Sequence, residues 1–157
     1  MAVRAVLDTQ VVLRGLLGAR TSACTILFEA LAQNIFLGVT SPHILAELRR
    51  VLESLTSRAR YGLTPVRSTE LLDAYQRIAQ SVDGSLVLRE LNLLPPIPVE
   101  DEPIVAAAIE ADAEYVVTDD GGLLDVKAVA VSGHRTVQII APGPFVKRVL
   151  GIEPPSR

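Results

Sequence analysis

Short apolar runs alternate with segments of helical periodicity along the chain. The first run, Ala2–Leu7, is rich in Val and ends at Asp8, which predicts a strand buried on both faces. Further strands are predicted at Ile35–Val39, Ser85–Leu88, Tyr115–Thr118 and Thr136–Ile140.

Apolar residues at helical spacing predict helices between these strands. Ser41 is a good N-cap and Pro42 suits the first helical position. The apolar residues of this helix are Ile44, Leu45, Leu48, Val51, Leu52 and Leu55. The other helices are predicted from Thr21 or Ser22 to Gln33, over Pro65–Ser81, after Asp101, and over Pro142–Leu150. This alternation predicts an α/β fold, with helices on both faces of a mostly parallel sheet in three α/β/α layers.

The length and composition favour a single domain over residues 1–150, followed by a short Pro-rich tail at 151–157. About half of the residues are apolar and only a fifth are charged, which is typical of a compact chain. The apolar runs are far shorter than the roughly 20 residues that span a bilayer. The N-terminus lacks the features of an export signal, so we expect a cytoplasmic protein with no membrane partner.

Several classes of site are disfavoured by the sequence. The net charge of −3 argues against a basic nucleic-acid surface over the whole protein, although a local patch remains possible. The single Cys24 is expected in the core, and no Cys/His set has zinc-site spacing. Neither a G-x-G-x-x-G pattern after the first strand nor a phosphate-loop lysine motif occurs, so a nucleotide cofactor is not expected.

Acidic residues stand at the ends of predicted strands and the start of a predicted helix. Asp8 follows the first strand, Asp119 and Asp120 follow Tyr115–Thr118, and Asp101 precedes a helix. Ligands of open parallel sheets bind beyond the carboxyl ends of the strands, so one crevice could hold all of these acids. Glu47 borders the apolar stripe of its helix and supplies a fourth position.

Each acid also has an ordinary structural explanation. Asp101 could cap its helix, and an Asp-Gly pair such as Asp120-Gly121 could form a turn. Glu47 could lie at the flank of its helix beside Arg49 and Arg50. Asp8 is harder to explain in this way, because a carboxylate that ends a buried strand is partly desolvated and needs a partner.

Taken together, the acids indicate a divalent cation. Several carboxylates at close quarters repel one another, and a hard cation such as Mg²⁺ relieves the repulsion. Mg²⁺ needs only one or two carboxylates from the protein and completes its shell with water and phosphate oxygens. The chemistry predicted from this set is metal-assisted phosphoryl transfer.

Three blocks of the sequence resemble the PIN domains of toxin-antitoxin systems, the branch that includes VapC-like ribonucleases. These blocks are VRAVLDTQVVLRGLL, TSPHILAELRRVL and EDEPIVAAAIEADAEYVVTDDGGLL. Their order and spacing follow the family and extend to about Phe145. The resemblance implies a small parallel-sheet fold in which acids bind Mg²⁺ or Mn²⁺ and cut single-stranded RNA.

The resemblance also assigns the acids residue by residue. Asp8, Glu47 and Asp101 match the first three acids of the family. The usual Val-Thr-Gly-Asp-x-Asp-Leu-Leu places the fourth at Asp120, so that Asp119 stands at the Gly position and Gly122 at that of a further Asp. Gln10 replaces the usual Asn after Asp-Thr, and its longer side chain could shift a hydrogen bond by about 1 Å. Thr118 would support the acids by the same analogy.

The mechanism implied by the resemblance assigns the ion to Asp8, Asp101 and Asp120, with Glu47 holding a second ion or orienting water. We expect products with a 5′-phosphate and a 3′-hydroxyl. Cations must line the approach of an anionic RNA. The candidates for this role are Arg14, Arg20, Arg49 and Arg50. The family further implies a homodimer and a cognate antitoxin as partners.

Two rival hypotheses could explain the same acids, namely a binding module and another Asp-based phosphoryl-transfer protein. A PIN scaffold weakened through Gln10 and Gly122 could serve as an RNA- or protein-binding module. Phosphatases of the haloacid dehalogenase class need a second Asp where Gln10 stands, and receiver domains need paired acids near the first strand and a late lysine. Both of these phosphoryl-transfer folds match the sequence poorly.

Overall fold

Six strands form one sheet in the computed structural model, which describes residues 2–18, 22–54, 59–91 and 95–153. The strands are β1 (Arg4–Leu7), β2 (Leu37–Thr40), β3 (Ala79–Ser81), β4 (Tyr115–Val117), β5 (Ala128–Val129) and β6 (Val137–Ile140). Their order is β3-β2-β1-β4-β6-β5, and every pairing is parallel except that of β5 with β6. The predicted mostly parallel sheet is confirmed.

Helices connect these strands. They are α1 (Thr9–Leu17), α2 (Ala23–Ala32), α3 (Pro42–Glu53), α4 (Pro65–Ile78), α5 (Glu102–Glu110), α6 (Gly121–Val126) and α7 (Pro142–Pro144), the last continuing as a π-helical turn over Phe145–Val149. Hydroxyl groups cap three of them: Ser22 accepts a hydrogen bond from Thr25 N, Ser41 from Ile44 N, and Thr64 from Arg67 N. Thr21 and Leu55, which were included in the predicted helices, lie outside the described residues.

The helices cover both faces of the sheet, as expected for three layers. Ala5 and Leu7 of β1 belong to one core cluster with residues of α1, α2 and α4. Val6 points the other way, into a second cluster with residues of α5 and β4. The strand is therefore buried on both faces, in agreement with its Val-rich sequence. Cys24 is buried in the first cluster, as predicted.

The structure corrects some of the predicted elements. No strand forms at Ser85–Leu88, where Ser85 and Val87 are exposed and a 3₁₀ turn follows at Leu88–Glu90. The edge of β2 pairs instead with Ala79–Ser81, so α4 ends at Ile78 and not at Ser81. Helices α1 and α6 and strand β5 were not predicted.

The connections place a crevice beside β1. The chain continues from β1 to β2 and β3 on one side of the sheet, and β4 lies on the other side of β1. Leu7 pairs with Val117, so β1 and β4 end side by side. The order of the strands therefore reverses between β1 and β4, and ligands of open α/β sheets bind at such a reversal.

Two further predictions concern membrane-spanning segments and the Pro-rich tail. No helix among the described residues is long and apolar enough to cross a membrane. After the last helix, Ile152 N donates a hydrogen bond to Val146 O. The remainder of the predicted Pro-rich tail, residues 154–157, lies outside the described residues.

Candidate active site

Asp8 stands at the junction between β1 and α1. Its backbone is extended, and its Oδ1 accepts a hydrogen bond of 2.7 Å from Thr9 N at the start of the helix. The backbone N–H of Asp8 donates to Val117 O of β4, which fixes the junction against the neighbouring strand. The carboxylate is thereby oriented at the carboxyl edge of the sheet.

Thr118 connects Asp8 to the acid that follows β4. Its side chain is fully buried, and Oγ1 donates a hydrogen bond of 2.7 Å to Asp8 Oδ2. The same oxygen accepts a hydrogen bond from Asp120 N at 3.0 Å. Asp120 caps α6 through a hydrogen bond from Leu123 N to Oδ2. One buried hydroxyl therefore sets the positions of both acids.

Asp101 belongs to a third part of the chain, the turn before α5, and lies in the same region. It ends the 3₁₀ turn Val99–Asp101 and precedes α5, but its side chain makes no capping hydrogen bond. Its side chain does not serve as the cap that the sequence also allowed, because its backbone is helical, whereas the backbone of an N-cap is usually extended. Asp101 as a whole is only 9% exposed, and its side chain faces the cavity described below without serving the helix.

These side chains and Glu47 line one cavity of about 500 Å³, which we call the acidic cavity. It is lined by Asp8, Thr9, Gln10, Glu47, Asp101 and Asp120, together with His43 and Glu100 near its rim. Glu47 lies on α3 and is half-buried. Among the described residues, no ion pair joins Glu47 to Arg49 or Arg50.

The carboxylates of the cavity act on one another electrostatically. The pKa of Asp101 is raised from its ordinary value of 3.8 to about 6. The largest cause is desolvation, followed by repulsion from Asp120, Asp8, Glu100 and Glu47 in that order. Asp101 is thus the point at which the negative charges of the cavity converge.

Asp119 does not line the acidic cavity. Its Oδ2 pairs with Arg14 Nη1 of α1, and both side chains line a second cavity on the other side of the Asp119-Asp120 peptide. Of the other predicted cations, Arg49 lines a separate cavity with Glu53 and Asp73, and Arg50 is exposed. Arg20 lies outside the described residues.

The acidic cavity has the donor chemistry of a hard cation but does not form a closed coordination shell. Within the described ranges, no group of three or more His, Cys, Asp or Glu side chains is arranged to hold a metal ion as it stands. The hydroxyl of Thr9, a residue that lines the cavity, is buried and has no hydrogen-bond partner in the described part of the chain. Carboxylates that converge on one cavity fit a hydrated hard cation, whose waters can donate hydrogen bonds to several of them.

Sequence reasoning did not single out Thr9 or Glu100 for this site. Thr9 follows Asp8 directly, and a polar residue at the start of a helix that leaves a buried strand is a usable signal. Glu100 precedes Asp101 in the sequence VEDEP, where only the second acid was selected. Thr9 lines the cavity because α1 begins directly after Asp8, and Glu100 lines it because it lies in the turn Val99–Asp101.

Fold and site together describe a parallel α/β protein with an acidic cavity at the carboxyl edge of its central strands. The PIN domain family model matches residues 4–121, a range that contains Asp8, Glu47, Asp101 and Asp120. The chain belongs to the PIN domain family, whose members are generally nucleases. No curated protein matches the sequence significantly.

A solved structure shares the fold. It is described as VapBC2 from Rickettsia felis bound to a DNA fragment from their promoter, and one of its chains aligns with a TM-score of 0.56 at 18% identity. The alignment covers 87% of this chain and 98% of that one. At this identity the likeness extends to the fold alone.

Proposed function

We propose that the protein is a metal-dependent endoribonuclease that cleaves single-stranded RNA and acts as the toxin of a toxin-antitoxin pair. The observation that carries the proposal is the convergence of acids from separate segments on one cavity, where four other carboxylates help to raise the pKa of Asp101. Membership of the PIN domain family supports nuclease chemistry. The structural neighbour, a VapBC2 complex, supports an antitoxin partner.

In this proposal Asp8, Asp101 and Asp120 would hold Mg²⁺ or Mn²⁺, an ion that needs only one or two carboxylates from the protein. When bound, such an ion would supply a metal-activated water and would polarise the scissile phosphate. Thr118 and Thr9 N keep the Asp8 carboxylate in place through hydrogen bonds. Glu47, across the cavity on α3, orients the attacking water and accepts its proton.

The test is cleavage of a mixed single-stranded RNA pool in Mg²⁺ or Mn²⁺. Asp8→Asn and Asp101→Asn should lose nearly all activity, because each removes a negative charge from the cavity while keeping the side-chain shape. Asp125→Asn is the matched control, since Asp125 is exposed on α6 and does not line the cavity. Equal cutting by all four proteins would mean that the activity belongs to a contaminant.

A second candidate function is a weakened PIN scaffold that binds RNA or protein without cleaving. Two features favour it. Gln10 lines the cavity where the family usually has Asn, and Gly122 provides no carboxylate beside Asp120. Calorimetry with Mn²⁺ separates the candidates: a stoichiometric binding isotherm supports the nuclease, and its absence supports the scaffold.

The partners and the compartment follow from the same proposal. A toxin of this kind acts on RNA in the cytoplasm and is silenced by its antitoxin, and the family leads us to expect a homodimer. Size-exclusion chromatography with light scattering would test the dimer, with a mass of one chain, 16.8 kDa, contradicting it.

A further inference from the structure

We propose that the second cavity is a nucleotide-binding subsite that holds the RNA strand next to the acidic cavity. We call it the arginine cavity. Its lining includes Arg14, Arg60, Tyr61, Asp119 and Cys24, and its volume is about 470 Å³. The inference rests on the proposed function, since it specifies where the substrate of that same site is bound.

The arginine cavity lies beside the acidic cavity. Asp119 and Asp120 are consecutive, yet Asp119 lines the arginine cavity and Asp120 lines the acidic cavity. Pro142 and Gly143, just after β6, line its other side, so it too lies at the carboxyl edge of the sheet. An RNA strand bound at the acidic cavity would therefore pass close to the arginine cavity.

The two cavities differ in the charge of the side chains that line them. The acidic cavity is lined by five carboxylates and no Lys or Arg, so it repels phosphates unless a metal is bound. The arginine cavity has two guanidinium groups and a single carboxylate. Arginine binds phosphate oxygens through planar, paired hydrogen bonds. The adjoining cavity therefore supplies the cations that the acidic cavity lacks.

Tyr61 contributes an aromatic ring to the wall of the arginine cavity. The Arg60 guanidinium lies over the Tyr61 ring, 5.4 Å from its centre, so a cation and an aromatic face are already paired at the cavity wall. Burial raises the pKa of the Cys24 thiol, which keeps this part of the wall uncharged. An aromatic face beside a phosphate-binding cation is the combination by which proteins hold single-stranded nucleic acid, with the base stacked on the ring.

Asp119 should weaken the binding of RNA at this subsite. It holds Arg14 in an ion pair and adds a negative charge at the point where phosphate would bind. RNA must compete with Asp119 for the Arg14 guanidinium. Removal of this one charge should therefore strengthen RNA binding, whereas the loss of a purely structural partner of Arg14 should not.

The test measures binding of a short fluorescent single-stranded RNA in EDTA, which prevents metal-dependent cleavage. Arg60→Ala should weaken binding and reduce the slope of log affinity against log salt by about 0.7, the value for one phosphate contact to a single strand. Tyr61→Leu keeps apolar packing but removes the ring, so affinity should fall about tenfold with no change in slope. Asp119→Asn should bind several-fold more tightly than the wild type.

Arg77→Ala is the matched control. Arg77 is exposed near the end of α4, at the opposite edge of the sheet, and its removal should leave RNA binding unchanged. Circular dichroism and thermal melting of each variant check that the fold is retained, and Arg60→Ala at an exposed position is the variant least dependent on packing.

The outcomes separate the subsite from the nuclease proposal. Wild-type affinity in both Arg60→Ala and Tyr61→Leu, no RNA binding by the wild type, or weaker binding by Asp119→Asn would overturn the subsite, even in an enzyme that cleaves RNA. The expected pattern in a protein that never cleaves RNA would support the subsite and remove the nuclease proposal. If the protein cleaves, Tyr61→Leu should raise KM while kcat changes little.

Discussion

Thr118 is the residue on which the geometry of the acidic cavity depends most. Its hydroxyl joins the Asp8 carboxylate to the Asp120 backbone, so Thr118→Val removes both hydrogen bonds while retaining the side-chain shape. Because partners that orient ligands typically affect metal affinity by about 10- to 100-fold, we expect at least a tenfold weaker Mn²⁺ affinity by calorimetry. Thr40→Val is the control, since Thr40 is equally buried at the end of β2 but, within the described residues, has no hydrogen bond to Asp8 or Asp120. Equal affinities in the two variants would contradict the role of Thr118.

Asp101 should make the metal-free protein less stable as the pH rises. Its pKa in the folded protein is about 6 against an ordinary 3.8, so folding favours the protonated form. The stability that it contributes is fully present below about pH 3.8 and is lost as the pH rises through about 6. Asp101→Asn cannot ionise, so it should melt at a higher temperature than the wild type above pH 6 in EDTA.

The pH series itself provides the check on this prediction. The difference in melting temperature between Asp101→Asn and wild type should shrink as the pH falls towards 3.8, the ordinary pKa of the carboxyl group. Asp125→Asn, on the exposed face of α6, should follow the wild type throughout. A constant difference at every pH would show that the substitution acts through packing and not through the charge of Asp101.

Gly122 is a position at which an added carboxylate should raise the affinity for metal. A Cβ at this position would lie 3.7 Å from Asp120 Oδ2, with no closer contact among the described atoms. An Asp there would also stand in the first turn of α6, where negative charge is favourable. Gly122→Asp should therefore bind Mn²⁺ more tightly than the wild type, whereas Gly122→Asn should not. Unchanged affinity in Gly122→Asp would mean that the ion does not lie near Asp120.

Among single residues, the sequence located the acids better than their surroundings. Asp8 and Asp120 could be predicted because Asp8 directly follows β1 and Asp120 comes three residues after the end of β4, and strand ends converge in parallel sheets. The separation of Asp119 from Asp120 could not be predicted, because it depends on the ion pair with Arg14 of α1, a helix that was not predicted. Site roles of these residues stay predictions until the variants are measured.

At the scale of elements, two of the acids also hold helices in place. Asp8 caps α1 and Asp120 caps α6, so their replacement by Ala combines a loss of charge with a loss of a cap. Asp8→Ala should cost about 1 kcal/mol of stability on top of its effect on metal binding, whereas Asp8→Asn keeps a capping oxygen and should cost less. Urea unfolding of the two variants in EDTA measures this difference. Equal stability would indicate that the Asp8 cap contributes little to α1.

The missed elements share a physical cause. Helix α1 begins immediately after β1 with no intervening loop and is only nine residues long, TQVVLRGLL, so neither a linker nor a long helical repeat marks it in the sequence. Close packing explains Gly15 in this helix, because a Cβ there would lie 2.9 Å from Phe28 Cδ2 of α2. Strand β5 has only two residues and forms through pairing with β6, which no local pattern reveals. Long helices such as α3 were predictable because their caps and stripes are local.

At the scale of the whole molecule, the fold concentrates negative charge at one edge of the sheet. The net charge is only −3, yet five carboxylates line a single cavity, so the unfolded chain relieves a repulsion that the folded chain retains. A divalent cation should therefore stabilise this protein more than its net charge suggests. The effect should depend on the cavity acids and not on acids elsewhere on the surface.

Thermal unfolding with and without Mn²⁺ tests this expectation. An ion at about a hundred times its Kd adds about 2.7 kcal/mol to the free energy of unfolding. For a chain of this size that corresponds to a rise in Tm of roughly 5–10 °C. NaCl at equal ionic strength should give a smaller rise, because it screens charges without binding between them. Asp125→Asn should keep the full Mn²⁺ effect, and Asp8→Asn should lose most of it. If Mn²⁺ raises Tm equally in both variants, the ion binds somewhere other than the acidic cavity.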